Sequence, residues 1–184
     1  MTFKRIALFL AVFTIAASSQ VAFSKVIEDV KTIPAEILNL HNAQCPEFQG
    51  DRAEMMISEV FDLPKSEYSS TSNELYVLGC EIYAYNSMGK AYIYNASYKS
   101  VSPVSVADVS GDGSIFATSD LMGVGYEPET LTLSTWQKGR GMGDCGSAIS
   151  YTYDSRFEKF MLTEARVKDQ CDGEETDWPI VYKK

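Results

Sequence analysis

Four groupings in this chain have the residue types and spacing to do chemistry. The sharpest is Gly143-Asp144-Cys145-Gly146. A cysteine in a glycine-rich turn resembles the nucleophile turn of chymotrypsin-like cysteine peptidases. There a thiolate attacks a carbonyl, histidine takes the proton and backbone N–H groups hold the oxyanion. The one histidine, His41, lies 104 residues upstream. Three features count against a Cys145–His41 peptidase. Only 16 residues would precede His41 in the mature chain, too few for the strands that normally position the base. His41 also falls in a predicted helix, where a surface or capping role is expected. Finally, Cys171 offers Cys145 a disulfide partner, and a bridged sulfur is no nucleophile.

The second grouping is Asp108-Val109-Ser110-Gly111-Asp112-Gly113, which starts like a calcium loop, with oxygens at positions one, three and five and glycine at six. Position twelve, where an EF-hand needs glutamate, is Ser119, and Asp120 falls one place late. A strand-connecting turn is the plainer expectation; calcium held by Asp108, Ser110, Asp112 and Asp120 is the alternative. The third grouping sets Lys138 and Arg140 among Gly139, Gly141 and Gly143. Such a loop can cradle an anion, but the lysine precedes the glycines and no Gly-Lys-Ser/Thr follows, so it is not a P-loop. A tight turn with Arg140 paired to Asp144 is the plainer reading. The fourth is a run of tyrosines: Tyr83, Tyr85, Tyr92 and Tyr94. Aromatic rows on a sheet bind sugars or peptide partners, and more often pack beneath a second layer.

The elements that must position these residues begin with a helix over residues 33–44. Pro34 suits a first turn, and Ile33, Ile37, Leu40 and Gln44 follow the spacing of one helical face. Residues 53–61 read equally as strand or helix, and 64–73 as a polar loop. From Glu74 the period becomes two: Tyr76, Leu78, Cys80, Ile82 and Ala84 form one apolar face. Asn86-Ser87-Met88-Gly89 makes a plausible hairpin turn. If Tyr85 then pairs with Lys90, Tyr83, Tyr85, Tyr92, Tyr94 and Tyr98 share one face and the Cys80 set takes the other; a one-residue slip would scramble this. Further strands are expected over 104–109, 114–118, 130–136, 148–153, 157–162 and 180–182, separated by turns containing Gly, Asp or Pro. The acids from Asp169 to Asp177 read as a solvated loop. Many short strands after one helix predict an α+β, mainly antiparallel β fold, one sheet or sandwich with a short N-terminal helix.

The N-terminus runs Met1-Thr2-Phe3-Lys4-Arg5, then an apolar stretch from Ile6 to Ala17, then small residues ending Ala22-Phe23-Ser24. This order is that of a cleavable secretory signal, and the apolar stretch is short for a membrane span. The expected organisation is a signal peptide over 1–24 and a single β-rich domain over 25–184, periplasmic or secreted, with no stable membrane anchor after cleavage. Cleavage would remove two basic residues and no acid, taking the formal charge from −9 to −11. So acidic a chain is unsuited to nucleic-acid backbone, whereas a cationic protein would be steered toward it. Cys45, Cys80, Cys145 and Cys171 in an exported chain predict two disulfides. Three pairings are open. Cys45–Cys80 with Cys145–Cys171 is favoured because each staples a local segment. No C-x₂-C pair supports a zinc site.

The string Lys138-Gly139-Arg140-Gly141-Met142-Gly143-Asp144-Cys145-Gly146-Ser147 continues through Tyr151-Thr152-Tyr153-Asp154 and Cys171-Asp172-Gly173 to Asp177-Trp178-Pro179-Ile180-Val181-Tyr182. It resembles the exported proteobacterial family known as domain of unknown function family 1176, which ends in a glycine-rich Asp-Cys-Gly loop, an aromatic hairpin, a Cys-x-Gly and a closing Trp-Pro. Cys80 with Ala84-Tyr85-Asn86 looks like that family's upstream cysteine and Ala-Tyr-Asn element. The resemblance covers about residues 75–184, most strongly 138–182, and longer members have additional N-terminal sequence. It implies export and a disulfide-containing fold, and it implies no activity. Compartment and charge set the expectation: a binding or interaction module that captures a cationic protein. The alternatives are a calcium-stabilised envelope assembly factor and the disfavoured Cys145–His41 peptidase.

Overall fold

A computed structural model describes residues 25–48, 53, 56, 58–110, 112–174 and 177–184. The expected signal peptide lies outside the described residues, as does Gly111 of the Asp108–Gly113 loop. The helix is α1, Ala35–Gln44, entered through Pro34, whose carbonyl accepts from Ile37 and Leu38 N–H. Its buried face is Ile37 and His41, one turn apart. His41 takes the inward place that the apolar spacing assigned to Leu40 and Gln44, and Gln44 is exposed.

The strands are β1 Lys25–Val26, β2 Ser58–Asp62, β3 Glu74–Ile82, β4 Ser87–Asn95, β5 Ser100–Pro103, β6 Val106–Val109, β7 Ile115–Thr118 and β8 Leu121–Met122, followed by β9 Gly125–Glu127, β10 Thr132–Lys138, β11 Gly146–Asp154, β12 Lys159–Lys168 and β13 Ile180–Lys183. All pairings among the described residues are antiparallel. One sheet runs β1-β2-β3-β4-β5 with β8 added beside β4, a second runs β13-β12-β11-β10-β9, and β6–β7 is a separate hairpin. The fold is thus the expected mainly antiparallel α+β arrangement.

Alternation along β3 assigns the two faces of the first sheet to different layers. Leu75 and Val77, with Ala91 of β4, meet Leu133, Ile149, Tyr151 and Tyr153 of the second sheet in one core. Tyr76, Leu78 and Cys80, with Tyr92 and Tyr94, pack on the other face with Ile37, Cys45 and Phe48 in a second core. The disulfide Cys45–Cys80 ties the end of α1 to β3, and Cys145–Cys171 ties the start of β11 to the segment after β12. Of the three pairings open in the sequence, the structure has the local one.

The β3–β4 hairpin differs from the expected register. Its turn is Tyr83–Asn86, closed by Tyr83 N–H donating to Asn86 O at 2.8 Å, and Ser87-Met88-Gly89 belong to β4. Tyr92 stands opposite Tyr76, and a bulge between Gly79 and Glu81 leaves Cys80 as the extra residue. Tyr92 and Tyr94 therefore share the helix-facing side with the Cys80 set instead of opposing it, and both are buried. The reason is physical: Cys80 must meet Cys45 under the helix, and the bulge absorbs the residue that would otherwise turn the strand over. The strand expected over 104–109 is split at Val104, whose N–H donates to Ala91 O. The one expected to begin at Phe157 begins at Lys159, after a turn in which Asp154 accepts from Arg156 N–H.

Candidate functional site

The site is built where the β3–β4 turn meets the glycine-rich loop between β10 and β11. Asn86 makes the junction: its side-chain Nδ2 donates to Lys138 O at 3.0 Å, and Lys138 N–H donates to Asn86 Oδ1 at 2.9 Å. The amide thus mimics a strand partner at the end of β10. Next to it the Tyr85 ring lies on the bare backbone of Gly141, where an added Cβ would stand 3.0 Å from the ring. Farther along the loop Gly143, whose φ of +71° favours glycine, lies beside the Trp136 ring and the Lys138 stem. Lys138 Nζ sits 4.7 Å from the Trp136 ring centroid, a cation–π contact.

Two further contacts set the height of Trp136. Gly123 N–H donates to Ser87 O at 2.7 Å, and Gly123, at φ +51°, packs directly on the Trp136 backbone, where any side chain would collide. Ser87 is in turn paired with Ile82. The ladder Ile82–Ser87–Gly123–Trp136 and the clamp Asn86–Lys138 together join the β3–β4 turn to β10 and the loop after it. Around this junction Ile82 (59%), Tyr83, Tyr85, Trp136 (48%) and Met142 (66%) are exposed.

Beneath the face the loop is anchored by charge. Arg140 donates from Nε and Nη2 to the two oxygens of Asp144, at 2.8 and 2.5 Å, and Gly173 N–H adds a bond at 2.6 Å. Asp144 is buried. The Arg140 guanidinium, aided by the Gly173 N–H against the cost of burial, holds its carboxyl well below the usual range. Gly139 N–H donates to Cys145 O at 2.8 Å, closing the loop, and the Cys145–Cys171 bridge ties its far end to the segment after β12. The loop is therefore held at both Arg140 and Gly139, and Arg140 takes the pairing with Asp144 that the plainer reading expected.

The expected site residues thus divide. Tyr85 and Lys138 meet at the junction, Tyr83 lies in the same turn with its hydroxyl on Glu81, and Arg140 pairs with Asp144. Tyr92 and Tyr94 are core residues. The Tyr92 hydroxyl lies 3.0 Å from His41 Nδ1, and burial pushes its pKa up to about 12. His41 is fully buried in place of the expected surface or capping role. Its Nε2 lies 2.9 Å from Gly79 O, and a carbonyl only accepts, so Nε2 carries the proton and Nδ1 accepts from Tyr92. Burial lowers the His41 pKa to about 4. The cysteine-peptidase arrangement is absent: His41 is engaged in this network, and Cys145 is bridged.

The Asp108–Gly113 segment forms the β6–β7 turn. Ser110 N–H donates to Ser114 O, and Asp112 accepts from Ser110 Oγ and Ser114 N–H, which lower its pKa to about 2. Asp108 accepts from Val109 N–H, and Asp120 pairs with Lys90. Among the described residues the carboxylates of Asp108, Asp112 and Asp120 do not gather within ligand reach of one another. The grouping that does is Asp144, Cys145 and Cys171, whose sulfurs are bonded to each other.

Sequence reasoning missed Trp136, Met142, Ile82 and the Asn86 clamp. Ala84-Tyr85-Asn86 carried the one signal for the clamp, since an asparagine side chain at a turn has both a donor and an acceptor to offer a backbone.

Comparison with known proteins extends the resemblance. The family described as "Protein of unknown function (DUF1176)" matches residues 16–184, further toward the N-terminus than the motifs over 75–184 indicate. The protein of Escherichia coli (strain K12) described as "Uncharacterized protein YpfG" is 28% identical over 112 residues, which is 59% of this chain and 31% of that protein. The chain is thus matched to about a third of that relative's length. No solved structure matches.

Proposed function

The chain belongs to the DUF1176 family, and on that footing we propose that it is an extracytoplasmic binding module whose aromatic face captures a cationic protein. The observation that carries the reading is the Asn86–Lys138 clamp, which seats Tyr85 on the glycine loop whose Gly143 neighbours Trp136, with both residues about half exposed. Exposed tyrosine and tryptophan on a rigid seat are what interface hot spots are made of, because little side-chain entropy is lost on binding. Two disulfides and the signal-like N-terminus support an oxidising compartment outside the cytoplasm.

Charge supports the choice of partner. Lys90, Arg140, Arg156, Arg166, Lys168 and Lys183 each sit against one of the protein's own carboxylates. With much of the basic charge paired internally and a formal charge of −9, the surplus presented to a partner is acidic. An acidic surface draws a cationic protein by long-range steering, and the aromatic face then supplies short-range area.

The test is binding of the full chain to lysozyme, as a cationic probe protein, beside an acidic protein of similar size. Lysozyme should bind in a salt-dependent way, the acidic control should not, and Tyr85→Ala with Trp136→Ala should weaken binding by about tenfold or more. Equal binding by the double variant, or none by the native chain, rejects the face as the capture site.

A further inference from the structure

We infer that the cleft adjoining this face is a receptor for one basic side chain, lysine or arginine, of the partner protein. The inference deepens the proposed function and rests on its cationic partner. The cleft lies where β3 and β4 cross the bulge. Gly79 and Gly89 stand opposite each other there, so at that rung neither strand supplies a side chain. Met56, Val77, Met88 and Val124 line the resulting gap, and the Val124 side chain comes so close to Gly89 that a Cβ there would stand 2.7 Å from it. The cavity measures about 180 Å³. That equals roughly six waters and falls short of the roughly 300–1,000 Å³ of small-molecule sites. A single slender side chain fits it; a metabolite of ordinary size does not.

The chemistry of the lining selects the occupant. An apolar slot alone would suit leucine or methionine, but Glu81 lines the same cleft. Its carboxylate accepts the Tyr83 hydroxyl, and Tyr83 is 46% exposed at the outer side of the turn. Among the described residues no basic side chain pairs with Glu81. Six basic side chains are held by the protein's own carboxylates, whereas Glu81 offers its charge beside an apolar slot with no such partner. Lysine and arginine are the residues with an apolar stem and a cationic head. The stem would lie along Met88 and Val124, and the head would meet Glu81 in a charge-assisted hydrogen bond beside the Tyr83 ring.

The experiment is an amide NMR titration of the full chain with N-acetyl-arginine methylamide, with the norleucine analogue as an apolar probe of similar stem. The expected result is a saturable shift confined to the amides of Gly79, Glu81, Met88, Gly89 and Val124. Glu81→Gln should weaken it by about tenfold, and Ser87→Trp, which covers the mouth from an exposed position, should abolish it. Equal binding of the norleucine analogue, unchanged affinity in Glu81→Gln, or shifts scattered over the surface would each overturn the inference. The small probe does not need Tyr85 or Trp136. Failure of the lysozyme experiment with a positive arginine titration therefore rejects the aromatic face alone, and the reverse pattern rejects the cleft alone.

Discussion

The side-chain amide of Asn86 and the backbone of Lys138, 52 residues apart, exchange two hydrogen bonds, at 3.0 and 2.9 Å. This exchange couples the hairpin of one sheet to the exit of a strand in the other. It makes a single rigid surface from two loops that would otherwise move independently.

Removing that amide leaves the Lys138 N–H and C=O without their partner in a part-buried place. Asn86→Ala should therefore cost about 1–3 kcal/mol of stability, visible as a lower urea midpoint. It should weaken lysozyme binding as well, because Tyr85 loses its seat. Asn86→Asp keeps the acceptor and loses the donor, so it should fall between the two. An Asn86→Ala protein with native midpoint and native binding would show that the turn is held by something else.

His41 makes stability depend on pH. Its folded pKa is about 4 against 6.5 for the free side chain. Between those values the unfolded chain binds a proton that the folded protein refuses, so stability falls as pH falls. At 1.36 kcal/mol per pH unit the loss amounts to about 3 kcal/mol across the window. Protonation would also place a second donor against the Tyr92 hydroxyl. His41→Gln should flatten the profile between pH 6.5 and 4. Asp144 acts in a lower window: its stabilisation is complete above the ordinary carboxylate pKa of 3.8 and is lost on further acidification. Urea midpoints measured from pH 7 to pH 3 for the native and His41→Gln chains separate the two groups.

The two disulfides should open in order. Cys45 and Cys80 are wholly buried, whereas Cys171 is exposed beside buried Cys145. A mild reductant with a trapping alkylating agent should label Cys145 and Cys171 well before Cys45 and Cys80, as read by peptide mass spectrometry. For separations of 26 and 35 residues, loss of each bridge should cost between about 3 and 4 kcal/mol on a chain-entropy view. Labelling in the opposite order would mean that the helix side opens more readily than the glycine loop.

How much of this was legible in the sequence depends on the range of the interaction responsible. Pro34 and the apolar spacing after it marked α1 to within two residues, because helix entry is decided by neighbours a few positions apart. The alternation from Glu74 marked β3, and the Gly-, Asp- and Pro-containing turns marked most later strands. The family motifs around Cys145 and Cys171 were readable as a string. The Arg140–Asp144 pair was readable too, since one turn's spacing brings the two side chains together.

What the sequence by itself determined, then, was the class of fold, the acidic charge, the even set of cysteines and the family. The tertiary structure alone decided which cysteines meet, that His41 is a core residue, and that the bulge at Cys80 turns Tyr92 and Tyr94 inward. It alone brought Tyr85 onto Gly141 and Trp136 beside Gly143 of the same loop, and set Glu81 on the lining of an apolar cleft. The physical reason is that propensity and turn chemistry act over a few residues. Burial, register across a bulge and the gathering of a surface depend instead on which distant segments pack together, and no local pattern encodes that choice.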